Sequence, residues 1–552
     1  MFLPPAWSRY WHTLRHLQAR QWTARLKRKF MRPTADTRPA PNRRTWNPQC
    51  WQVGIAPPAS LLRPGAWRLV NEEHQLSSLA AIDPAISHLW RYHVHYFDDL
   101  RAADARARID LHQQWISDWI QQCPPGTAIA WDPYPTSLRI VNWLKWAWQG
   151  GPLTAEAWQS LATQTRWLAQ DLEYHLLGNH LLANAKALVF AGCAFGGDEG
   201  NRWLRTGLEI YREQLPEQIL SDGGHFELSP MYHAIVLEDL LDVWNLAQAA
   251  ASDLPEFYNE VQGWEPLLQK MRSWLAAMTH PDGTLAHFND TTQGQSATTR
   301  ELEQYAARLG FAPPPPLAEG VTLLEASGYM RCQLGEAVLI LDAGNIGPDY
   351  IPGHAHADTL SFELSIGQSR ALINSGISCY GTGPERLAQR GTAAHNTVVV
   401  NEADSSEVWS GFRVARRARI TEFKIESPTN EQIRICAAHD GYGRLRRSLR
   451  HRRTWTMESR RLLVEDELTY PMMQVRSHFR LGPGWQPRSS SETFLWASEK
   501  RELSCCLTEA KGALCESQWH PGFGLSEPVS ELRCTPASSC NWSQDWEWRP
   551  SE

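Results

Sequence analysis

Pro313-Pro314-Pro315-Pro316 divides the chain into two parts with different hydrophobic periods. Four consecutive prolines cannot continue a helix, because each lacks the backbone N–H and fixes φ, and they favour an extended spacer. Before them, from about residue 102 to 309, apolar residues recur at three- and four-residue spacing, which is typical of amphipathic helices. After them the spacing becomes two, which is typical of strands. Helices first and strands later predict two domains rather than one α/β sheet.

Short turns rich in Gly, Pro, Asn and Asp separate the predicted elements. Helices are predicted over residues 105–121, 137–148, 155–175, 180–195, 199–215, 230–250, 264–279 and 298–309. Strands are predicted over residues 321–324, 337–342, 359–366, 369–373, 397–400, 420–425, 432–437, 449–457 and 461–468. Short connections imply antiparallel helix neighbours, and a ring of helical hairpins suits so many of them. The expected fold class is an incomplete α/α toroid followed by an antiparallel β-sandwich, with a basic lead-in over 1–89, the toroid over 90–312 and the sandwich over 317–552.

Length and composition exclude several classes of protein. At 552 residues and 62.8 kDa the chain should hold two or three domains. A formal net charge of −6 and a pI near 6.4 argue against a nucleic-acid binder. The 27 Trp residues are expected mainly in the core, although Trp faces also stack on sugar rings and so mildly favour a carbohydrate partner. The sequence has no apolar run near the length of a bilayer span, so no transmembrane helix is expected.

The cysteines and the N-terminal residues bear on the cellular compartment. The 11 Cys residues include no CxxC pair, so they indicate neither a zinc ribbon nor a disulfide scaffold, and reduced thiols are the preferred interpretation. Residues 1–44 are rich in Arg and Trp but lack the continuous apolar stretch of a secretory signal. Such a basic arm could contact an anionic membrane surface or polymer, but packing on the first helices is preferred. We therefore expect a cytoplasmic protein, with a periplasmic or membrane-peripheral location as the alternative.

Three histidines lie next to predicted strands in the second part. Gly353-His354-Ala355-His356-Ala357-Asp358 precedes the strand predicted over 359–366, and Ala394-His395-Asn396 precedes the strand predicted over 397–400. In an extended chain His354 and His356 would point to the same face, because side chains alternate with a period of two. That arrangement suits a metal ion, or one catalytic base beside one metal ligand.

Polar groups also recur at the starts of predicted helices. Asn179 fits an N-cap position, which would leave the following His180 unexplained. Ser229 precedes a proline, an order typical of an N-cap and the first helical residue, and this places Tyr232 and His233 in the first turn. Taken alone, each of these groups is better explained by a structural role than by a catalytic one. At the same end of alternate helices in a toroid, however, they would meet at one rim.

Four motifs, in this order, resemble the heparinase II/III-like polysaccharide lyases and the related alginate lyases. They are Gly178-Asn179-His180, Phe226-Glu227-Leu228-Ser229-Pro230-Met231-Tyr232-His233, Gly353-His354-Ala355-His356-Ala357-Asp358 and Ala394-His395-Asn396-Thr397-Val398. The similarity spans about residues 90–400. Those lyases pair an α/α toroid with an antiparallel β-sandwich and cleave uronic-acid polymers in the cleft between them. The resemblance therefore implies an anionic polysaccharide or oligosaccharide as the partner.

The resemblance also implies roles in β-elimination. Asn179 would neutralise the uronate carboxylate, with His180 as its helper, because amide and imidazole donors stabilise the developing enediolate. Tyr232 and His354 would supply the base for the C5 proton and the acid for the leaving oxygen. Which of the two is the base is left open.

The remaining predicted contacts to substrate are mostly cationic. Arginine binds carboxylate or sulfate bidentately, and the candidates are Arg139, on the opening turn of a predicted helix, and Arg386 and Arg390, before the AAHN motif. Solvated surface charge explains each of them about as well. The motif match adds Glu227 and His233 as supporting contacts. The arginines at 413, 416, 417 and 419 could extend this anion-binding face or lie on strand exteriors.

The resemblance further raises the question of zinc. In several members of the family a zinc ion is held by the second His of the HxH motif, an acidic residue and the His of the AAHN motif, which here correspond to His356, Asn374 and His395. The middle position departs from the pattern, because a neutral amide oxygen is a weaker ligand than the expected carboxylate. A structural zinc that orders the His354 loop and a purely hydrogen-bonded junction are both left open.

Three functions compete at this point. The first is a lyase acting on a glycosaminoglycan-like or alginate-like polysaccharide in bacterial polysaccharide metabolism. The second is an α/α-toroid glycoside hydrolase that uses carboxylates such as Asp222, Glu227 or Asp290 as acid and base. The third is a non-catalytic polysaccharide-binding relative within a biosynthetic system. The four motifs favour the lyase.

Overall fold

The computed structural model describes residues 5–45, 50–426, 431–472, 474–488, 493–537 and 540–550. Its helices are α1 Pro5–Leu14, α2 Ala19–Phe30, α3 His88–His93, α4 Ile109–Gln122, α5 Pro133–Trp148, α6 Ala155–Gln170, α7 Gly178–Ala194, α8 Gly197–Gln218, α9 Pro230–Ala249, α10 Pro255–Gln262, α11 Glu265–Ala277, α12 Thr299–Arg308 and α13 Pro384–Arg390. Every predicted helix is confirmed, with bounds shifted by a few residues. Helices α1, α2, α3, α10 and α13 were not predicted. Helices α3 to α12 form the helical domain.

Local sequence explains where several helices begin. Ser229 caps α9: its Oγ accepts a hydrogen bond from the Tyr232 N–H at 3.3 Å, and Pro230 takes the first helical position. Thr298 and Glu301 form a reciprocal capping box at the start of α12. Helices α7 and α9 are buried on nearly every side, so they lie in the centre of the helical domain.

Aromatic side chains fill much of the core of the helical domain. The rings of Phe97 and Trp115 are stacked with their centroids 3.9 Å apart, and Trp119 and Trp143 are fully buried. These rings stabilise the domain by packing and are closed to a sugar.

Antiparallel strands form the second part of the chain. The strands of the molecule are β1 Leu61–Arg63, β2 Ala66–Leu69, β3 Glu72–Gln75, β4 Gly320–Leu324, β5 Tyr329–Leu334, β6 Ala337–Asp342, β7 Phe362–Ile366, β8 Ser369–Ile373, β9 Val398–Val400, β10 Val408–Trp409, β11 Arg413–Val414, β12 Ile420–Glu426, β13 Gln432–His439, β14 His451–Glu458, β15 Arg461–Leu468, β16 Val475–Leu481, β17 Gln486–Arg488, β18 Phe494–Ala497, β19 Arg501–Thr508, β20 Ala510–Trp519, β21 Glu527–Pro536 and β22 Asn541–Pro550. From β4 onward they make up the β-domain.

Two large sheets organise the described residues of the β-domain. One has the order β12-β13-β14-β15-β22-β19-β18-β17, and the other has the order β20-β21-β16-β8-β7-β6-β5-β4, with β9 paired to β16. Trp455 and Trp546 of the first sheet share a buried core with Phe362 and Phe479 of the second. The predicted toroid followed by an antiparallel sandwich is therefore confirmed. The strand predicted over 359–366 begins only at Phe362, because Leu360 adopts a left-handed φ of 64° that ends the extended chain.

The two domains share a packed interface. Leu228 and Trp274 of the helical domain belong to the same buried cluster as Val338 and Ile340 of β6. This cluster presses the residues before α9 against the β-sheet. The start of α9 is thereby held at the domain boundary.

The N-terminal arm, defined as α1 and α2, bridges both domains. On α2, Arg20 pairs with Glu217 at 2.7 Å and Arg28 pairs with Asp171 at 2.9 Å, both on the helical domain. From the β-domain, the indole of Trp409 donates a hydrogen bond to the Oγ1 of Thr13 at 3.1 Å. The expectation that the arm packs on the first helices is corrected, because α1 lies against the β-domain.

Two further sequence expectations concern thiols and membranes. The 11 cysteines are all free thiols. Among the described residues, no helix combines the length and the apolar character needed to cross a bilayer.

Candidate active site

A cleft of about 730 Å³ opens between the helical domain and the β-domain. All four residues predicted to be catalytic line it: Asn179 and His180 at the start of α7, Tyr232 in the first turn of α9, and His354 in the loop before β7. Three come from one domain and the fourth from the other. The set is therefore assembled only when the domains pack together.

Tyr232 and His354 meet face to face in the cleft. Their rings are stacked with centroids 3.8 Å apart and an interplanar angle of 9°. The Tyr232 hydroxyl shares a 2.8 Å hydrogen bond with the hydroxyl of Tyr380, which lies between β8 and α13. Burial raises the pKa of Tyr232 well above its usual range, and the Tyr380 hydroxyl adds to the shift. Tyr232 is therefore a protonated phenol at neutral pH.

Glu227 connects the two walls of the cleft. Its Oε2 pairs with the Nδ1 of His354, and its Oε1 accepts a hydrogen bond from the Asn179 N–H at 3.1 Å. Burial opposes ionisation of this carboxyl, but the charge and the hydrogen bond of His354 outweigh burial and lower the pKa of Glu227 to about 2. The Glu227 carboxylate accepts a hydrogen bond from the His354 Nδ1–H, so the Nε2 is the ring nitrogen left free to act as a base.

Glu227, predicted to contact substrate, lines the cleft, but its carboxylate is already committed to protein groups. The residue is 2% exposed, and each of its carboxylate oxygens already has a protein partner. Glu227 is a positioning residue that sets the tautomer of His354.

Gly178 permits the contact between Glu227 and α7. Its φ of 58° is left-handed, and a Cβ at this position would lie 2.5 Å from the Glu227 Oε1. Because α7 begins at Gly178, Leu177 takes the N-cap position and the prediction of Asn179 as N-cap is wrong. The Oδ1 of Asn179 is buried and has no hydrogen-bond partner among the described residues. The Nδ2 of Asn179 donates to no described residue either, so it is the donor of this cleft side chain that remains for an anionic ligand.

His180 is held by a second carboxylate. Its Nδ1 lies 3.1 Å from the Glu173 Oε1, and its ring centroid is 4.5 Å from that of Tyr134. Burial disfavours the imidazolium, but the charge and hydrogen bond of Glu173 outweigh burial and raise the pKa of His180. Glu173 therefore stabilises the protonated form of His180 beside Asn179.

Backbone strain is concentrated next to these residues. Leu177, with φ 70°, directly precedes Gly178, and Leu228, with φ 58°, directly follows Glu227. The left-handed conformation costs a non-glycine residue about 1–2 kcal/mol. Such strain persists only where the surrounding packing enforces it, and it is often found at functional sites.

Residues 353–358 form a turn rather than part of a strand. His354 reaches the cleft, whereas His356 turns inward and is 1% exposed. The two imidazoles therefore point to different sites, as one catalytic residue beside one candidate metal ligand would, and the shared face of an extended backbone does not apply to this turn. The Arg390 guanidinium stabilises the turn by donating a hydrogen bond to the Ala355 carbonyl at 2.7 Å.

Arg139 and His233, both predicted to contact substrate, are buried away from the cleft. Arg139 donates to the Gln164 Oε1 at 2.9 Å and to the His95 carbonyl at 3.1 Å. Helix α5 begins earlier than predicted, so Arg139 falls in its second turn and faces the core. The His233 Nε2 bonds the Met271 carbonyl at 2.9 Å, and burial lowers the pKa of His233 to about 3. Both substrate contacts are therefore corrected to structural roles.

Arg386 and Arg390 are also buried rather than open to substrate. The Arg386 Nη2 pairs with the Asp290 Oδ2 at 2.6 Å, and its guanidinium lies 5.0 Å from the Tyr380 ring centroid and 5.3 Å from that of Phe412. Both arginines support the cleft wall from behind. The prediction that they bind substrate is corrected, because their donors are already occupied by protein groups.

His356 and His395 meet as two metal ligands would. The His356 Nδ1 and the His395 Nε2 are 3.1 Å apart. The other two nitrogens are committed, one to the Asp290 Oδ1 at 2.8 Å and one to the Gly391 carbonyl at 2.9 Å. Burial lowers the pKa of both rings, so in the neutral pair two lone pairs face each other. A cation or a shared proton between them would relieve this conflict.

A second histidine pair in the β-domain shows no such conflict. The His451 Nδ1 and the His439 Nε2 are 3.3 Å apart, and the Gly441 N–H donates to the His439 Nδ1 at 3.0 Å. The His439 Nε2 therefore carries the hydrogen and donates it to His451. Neutral tautomers satisfy this pair completely.

The third position does not complete a zinc site. The Asn374 Oδ1 accepts a hydrogen bond from the Asn396 N–H at 3.1 Å. The described part of the chain contains no group of three or more His, Cys, Asp or Glu that could hold a metal ion. Structural zinc is usually held by about four ligands, so the residues present fit it only through two imidazoles.

Two family profiles match the chain. The heparinase II/III N-terminus matches residues 93–311, and the heparinase II/III-like C-terminal domain matches residues 317–548. The chain belongs to the heparinase II/III-like family. Its helical and β-domains correspond to the two matched segments.

Two heparin-sulfate lyases align with this chain over only part of their length. A heparin-sulfate lyase of Bacteroides thetaiotaomicron is 28% identical over 346 residues, which cover 52% of this chain and 48% of that protein. A heparin-sulfate lyase of Bacteroides stercoris is 25% identical over 260 residues, which cover 43% of this chain and 38% of that protein. The chain therefore aligns with less than half the length of each.

Solved structures share the fold of this family member. The crystal structure of heparinase III has a TM-score of 0.69 at 17% identity and covers 86% of this chain and 79% of its own. Heparan sulfate lyase HepC from Pedobacter heparinus has a TM-score of 0.56 at 17% identity and covers 96% and 88%. The chondroitin AC lyase of Streptomyces coelicolor has a TM-score of 0.53 at 11% identity and covers 86% and 78%.

Tyr380, which bonds Tyr232, is a cleft residue of this heparinase II/III-like chain that sequence reasoning missed. It lies in an irregular loop, where neither helical nor strand periodicity applies. The nearby glycines Gly376, Gly381 and Gly383 are the one local signal, because they indicate a loop shaped for close approach.

Proposed function

We propose that this protein is a polysaccharide lyase that cleaves a uronic-acid-containing polysaccharide by β-elimination in the cleft. The observation that supports it most is the stacked Tyr232–His354 pair, whose imidazole is held by Glu227 beside the unpaired amide of Asn179. These groups supply an acid, a base and a carboxylate neutraliser, which the elimination requires. The relatives' name, heparin-sulfate lyase, supports a heparan-type glycosaminoglycan as the substrate class.

The proposed reaction begins at C5 of the uronate. The His354 Nε2 removes the C5 proton while the Asn179 amide hydrogen-bonds the carboxylate as it becomes an enediolate. The electron pair then forms the C4–C5 double bond and expels the C4 oxygen, which takes the proton of the Tyr232 hydroxyl. One product carries a 4,5-unsaturated uronate and the other a new reducing end.

Electrostatics supports this division of roles. The raised pKa of Tyr232 keeps its proton in place at neutral pH, which suits an acid. The pairing of Glu227 with the His354 Nδ1 leaves the Nε2 as the free nitrogen, which suits a base. The hydrogen bond from Tyr380 can stabilise the Tyr232 phenolate until it is reprotonated from solvent.

The glycoside hydrolase alternative finds less support in the geometry. Of its candidate carboxylates, Asp290 is buried, and the charge of Arg386 and the hydrogen bond of His356 outweigh that burial and lower its pKa. Asp222 accepts hydrogen bonds from the Ser327 N–H and hydroxyl at 2.7 and 2.8 Å. A hydrolase needs one carboxylic acid with a raised pKa, whereas Glu227 and Asp290 are both held ionised.

The test of the proposed function is the chromophore of the product. The protein is incubated with heparosan, heparan sulfate, hyaluronan and alginate, and the ultraviolet absorbance of the conjugated double bond is followed together with chain length. We expect absorbance to rise as chains shorten. Shortening without the chromophore would favour the hydrolase, and binding without shortening would favour the non-catalytic relative.

Asn179→Ala is expected to lower kcat by about 10²–10³-fold, the size of the loss when one donor to a developing oxyanion is removed. The fold should persist, because the Asn179 Oδ1 has no partner in the described part of the chain. The rate is measured by product absorbance, and Asn201→Ala on the outer surface of α8 is the matched control. An unchanged kcat in Asn179→Ala would contradict the neutralising role.

For the metal, we propose weak zinc binding by His356 and His395, in a structural role outside the reaction. The facing lone pairs support a cation, and Asn374, whose Nδ2 is buried without a partner among the described residues, stands at the sequence position where the family pattern has an acidic ligand. Asn374→Asp is expected to bind zinc more tightly than the wild type in chelator competition. Equal affinity of the two proteins would contradict the proposed site, and His451→Ala is the control for loss of an unrelated histidine.

A further inference from the structure

The N-terminal arm forms part of the wall of the cleft. Leu14 of α1, Leu17 in the connection, and Gln21 and Arg25 of α2 all line it. The arm precedes both segments matched by the family profiles, which begin at residue 93. Its contribution to the cleft therefore lies outside the motifs that mark the family.

Arg25 of the arm and Arg413 of β11 both line this cleft without a carboxylate partner. The Arg25 Nη2 approaches only the His175 carbonyl, at 3.5 Å. The Arg413 guanidinium lies 4.9 Å from the ring centroid of Trp409 and 5.9 Å from that of Tyr10. Over the residues that the structure describes, neither forms an ion pair, so both retain donors for a ligand.

Arg25 and Arg413 line the same cleft from two different segments, the N-terminal arm and β11. Burial lowers the pKa of Arg25, and the positive charge of Arg413 lowers it further. The carboxylates that line the same cleft have other partners: Asp349 pairs with Arg419 at 2.7 Å, Glu227 pairs with His354, and the Glu72 Oε2 lies 3.2 Å from the His74 Nε2. Two like charges without a counter-ion favour an anion between them.

The arginines also flank the reacting groups. Phe412, which precedes Arg413 in the chain, lies with its ring centroid 6.3 Å from that of His354. His175, which Arg25 approaches, belongs to the loop that leads into α7 and Asn179. An anion bound by the two arginines would lie in the same cleft as the reacting uronate.

We propose that Arg25 and Arg413 form an anion subsite that binds a carboxylate or sulfate group on a sugar neighbouring the one that is cleaved. This deepens the proposed lyase function and rests on it for the identity of the ligand. Guanidinium forks bind carboxylate and sulfate bidentately, so a fixed pair on two walls selects substrates with an anionic group at that distance. The arm thereby becomes part of the substrate-binding surface.

The experiment measures binding separately from turnover. Arg25→Gln and Arg413→Gln are made singly and together in the full chain carrying Tyr232→Phe, and the Kd for a heparosan hexasaccharide and for a heparan sulfate hexasaccharide is measured by calorimetry. Lys29→Gln, which removes one exposed charge from the same helix without lining the cleft, is the matched control. Each arginine variant is expected to raise the Kd about tenfold, the size of one charge-assisted contact.

The outcomes separate the subsite from the lyase function. A raised Kd on both oligosaccharides supports recognition of a carboxylate, and a raised Kd on the sulfated one alone supports recognition of a sulfate. In the active protein the same variants should raise KM and leave kcat unchanged. If no polymer yields the chromophore but the Kd still rises, the lyase proposal fails and the subsite stands. Kd values equal to those of Lys29→Gln on both oligosaccharides would overturn the subsite.

Discussion

Tyr232→Phe is expected to lower kcat by about 10²–10⁴-fold, the range associated with loss of a positioned general acid. The substitution removes one oxygen atom and keeps the ring that stacks on His354 at a centroid distance of 3.8 Å. The leaving C4 oxygen would then depart without a proton, while the base and the neutraliser stay in place. The rate is measured by the absorbance of the unsaturated product.

A second tyrosine in the same cleft serves as the control for Tyr232. Tyr350 lines the cleft, but its hydroxyl bonds Glu217 and makes no contact with the reacting pair. Tyr350→Phe should therefore keep a rate close to that of the wild type. Retained activity in Tyr232→Phe together with loss in Glu227→Gln would instead favour a hydrolase.

Glu227→Gln is expected to lower kcat by about 10²–10⁴-fold, although its side chain does not touch the substrate. The glutamine amide can donate to the His354 Nδ1, and this favours the tautomer with the hydrogen on Nε2. His354 would then have no lone pair for the C5 proton. The KM should change much less than kcat, because the charge lost is buried at 2% exposure.

A buried Glu–His pair elsewhere in the molecule provides the control for Glu227. Glu531 bonds the His478 Nδ1 at 2.6 Å within the β-domain, and pairing outweighs burial to lower the pKa of Glu531 to about 2. Glu531→Gln removes the same chemical contact at a distance from the cleft. It should reduce stability and leave kcat unchanged. Equal losses of kcat in both variants would contradict a positioning role specific to Glu227.

The pH dependence of stability gives Glu227→Gln a second readout. The folded pKa of Glu227 is about 2, below its ordinary value of 4.5, so the fold stabilises the ionised form. This contribution is present above pH 4.5 and is lost as the pH falls towards 2. The difference in unfolding free energy between the wild type and Glu227→Gln should therefore shrink over that window, which denaturant titration at several pH values measures.

Local signals account for the parts of the fold that could be predicted. The proline run and the change of hydrophobic period separated the helical domain from the β-domain, because both act through the backbone of the residues concerned. The order of Ser229 and Pro230 placed Tyr232 in the first turn of α9, where the structure has it. The capping hydrogen bond that does this spans three residues and needs no tertiary contact.

Strands β16 to β22, from residue 475 onward, were not predicted from the sequence, and two of them show why. Strand β20 lies at the edge of its sheet and is half-exposed along most of its length, so its apolar alternation is weak. Strand β22 carried a clear signal, because Trp542, Trp546 and Trp548 occupy alternate positions and are buried. The alternation of Trp with polar residues would have identified it.

The sequence by itself determined the two domains, the family and the four candidate catalytic residues, all of which line the cleft. Only the tertiary structure decided the partners of the charged groups. Arg386 finds Asp290 at a separation of 96 residues, and His354 finds Glu227 at a separation of 127. Because of these pairings, Arg386, predicted to bind substrate, instead supports the cleft wall. Glu227, predicted to contact substrate, instead orients His354. Periodicity and capping act over a few residues of backbone, whereas burial and charge pairing depend on distant segments that meet only in the folded chain.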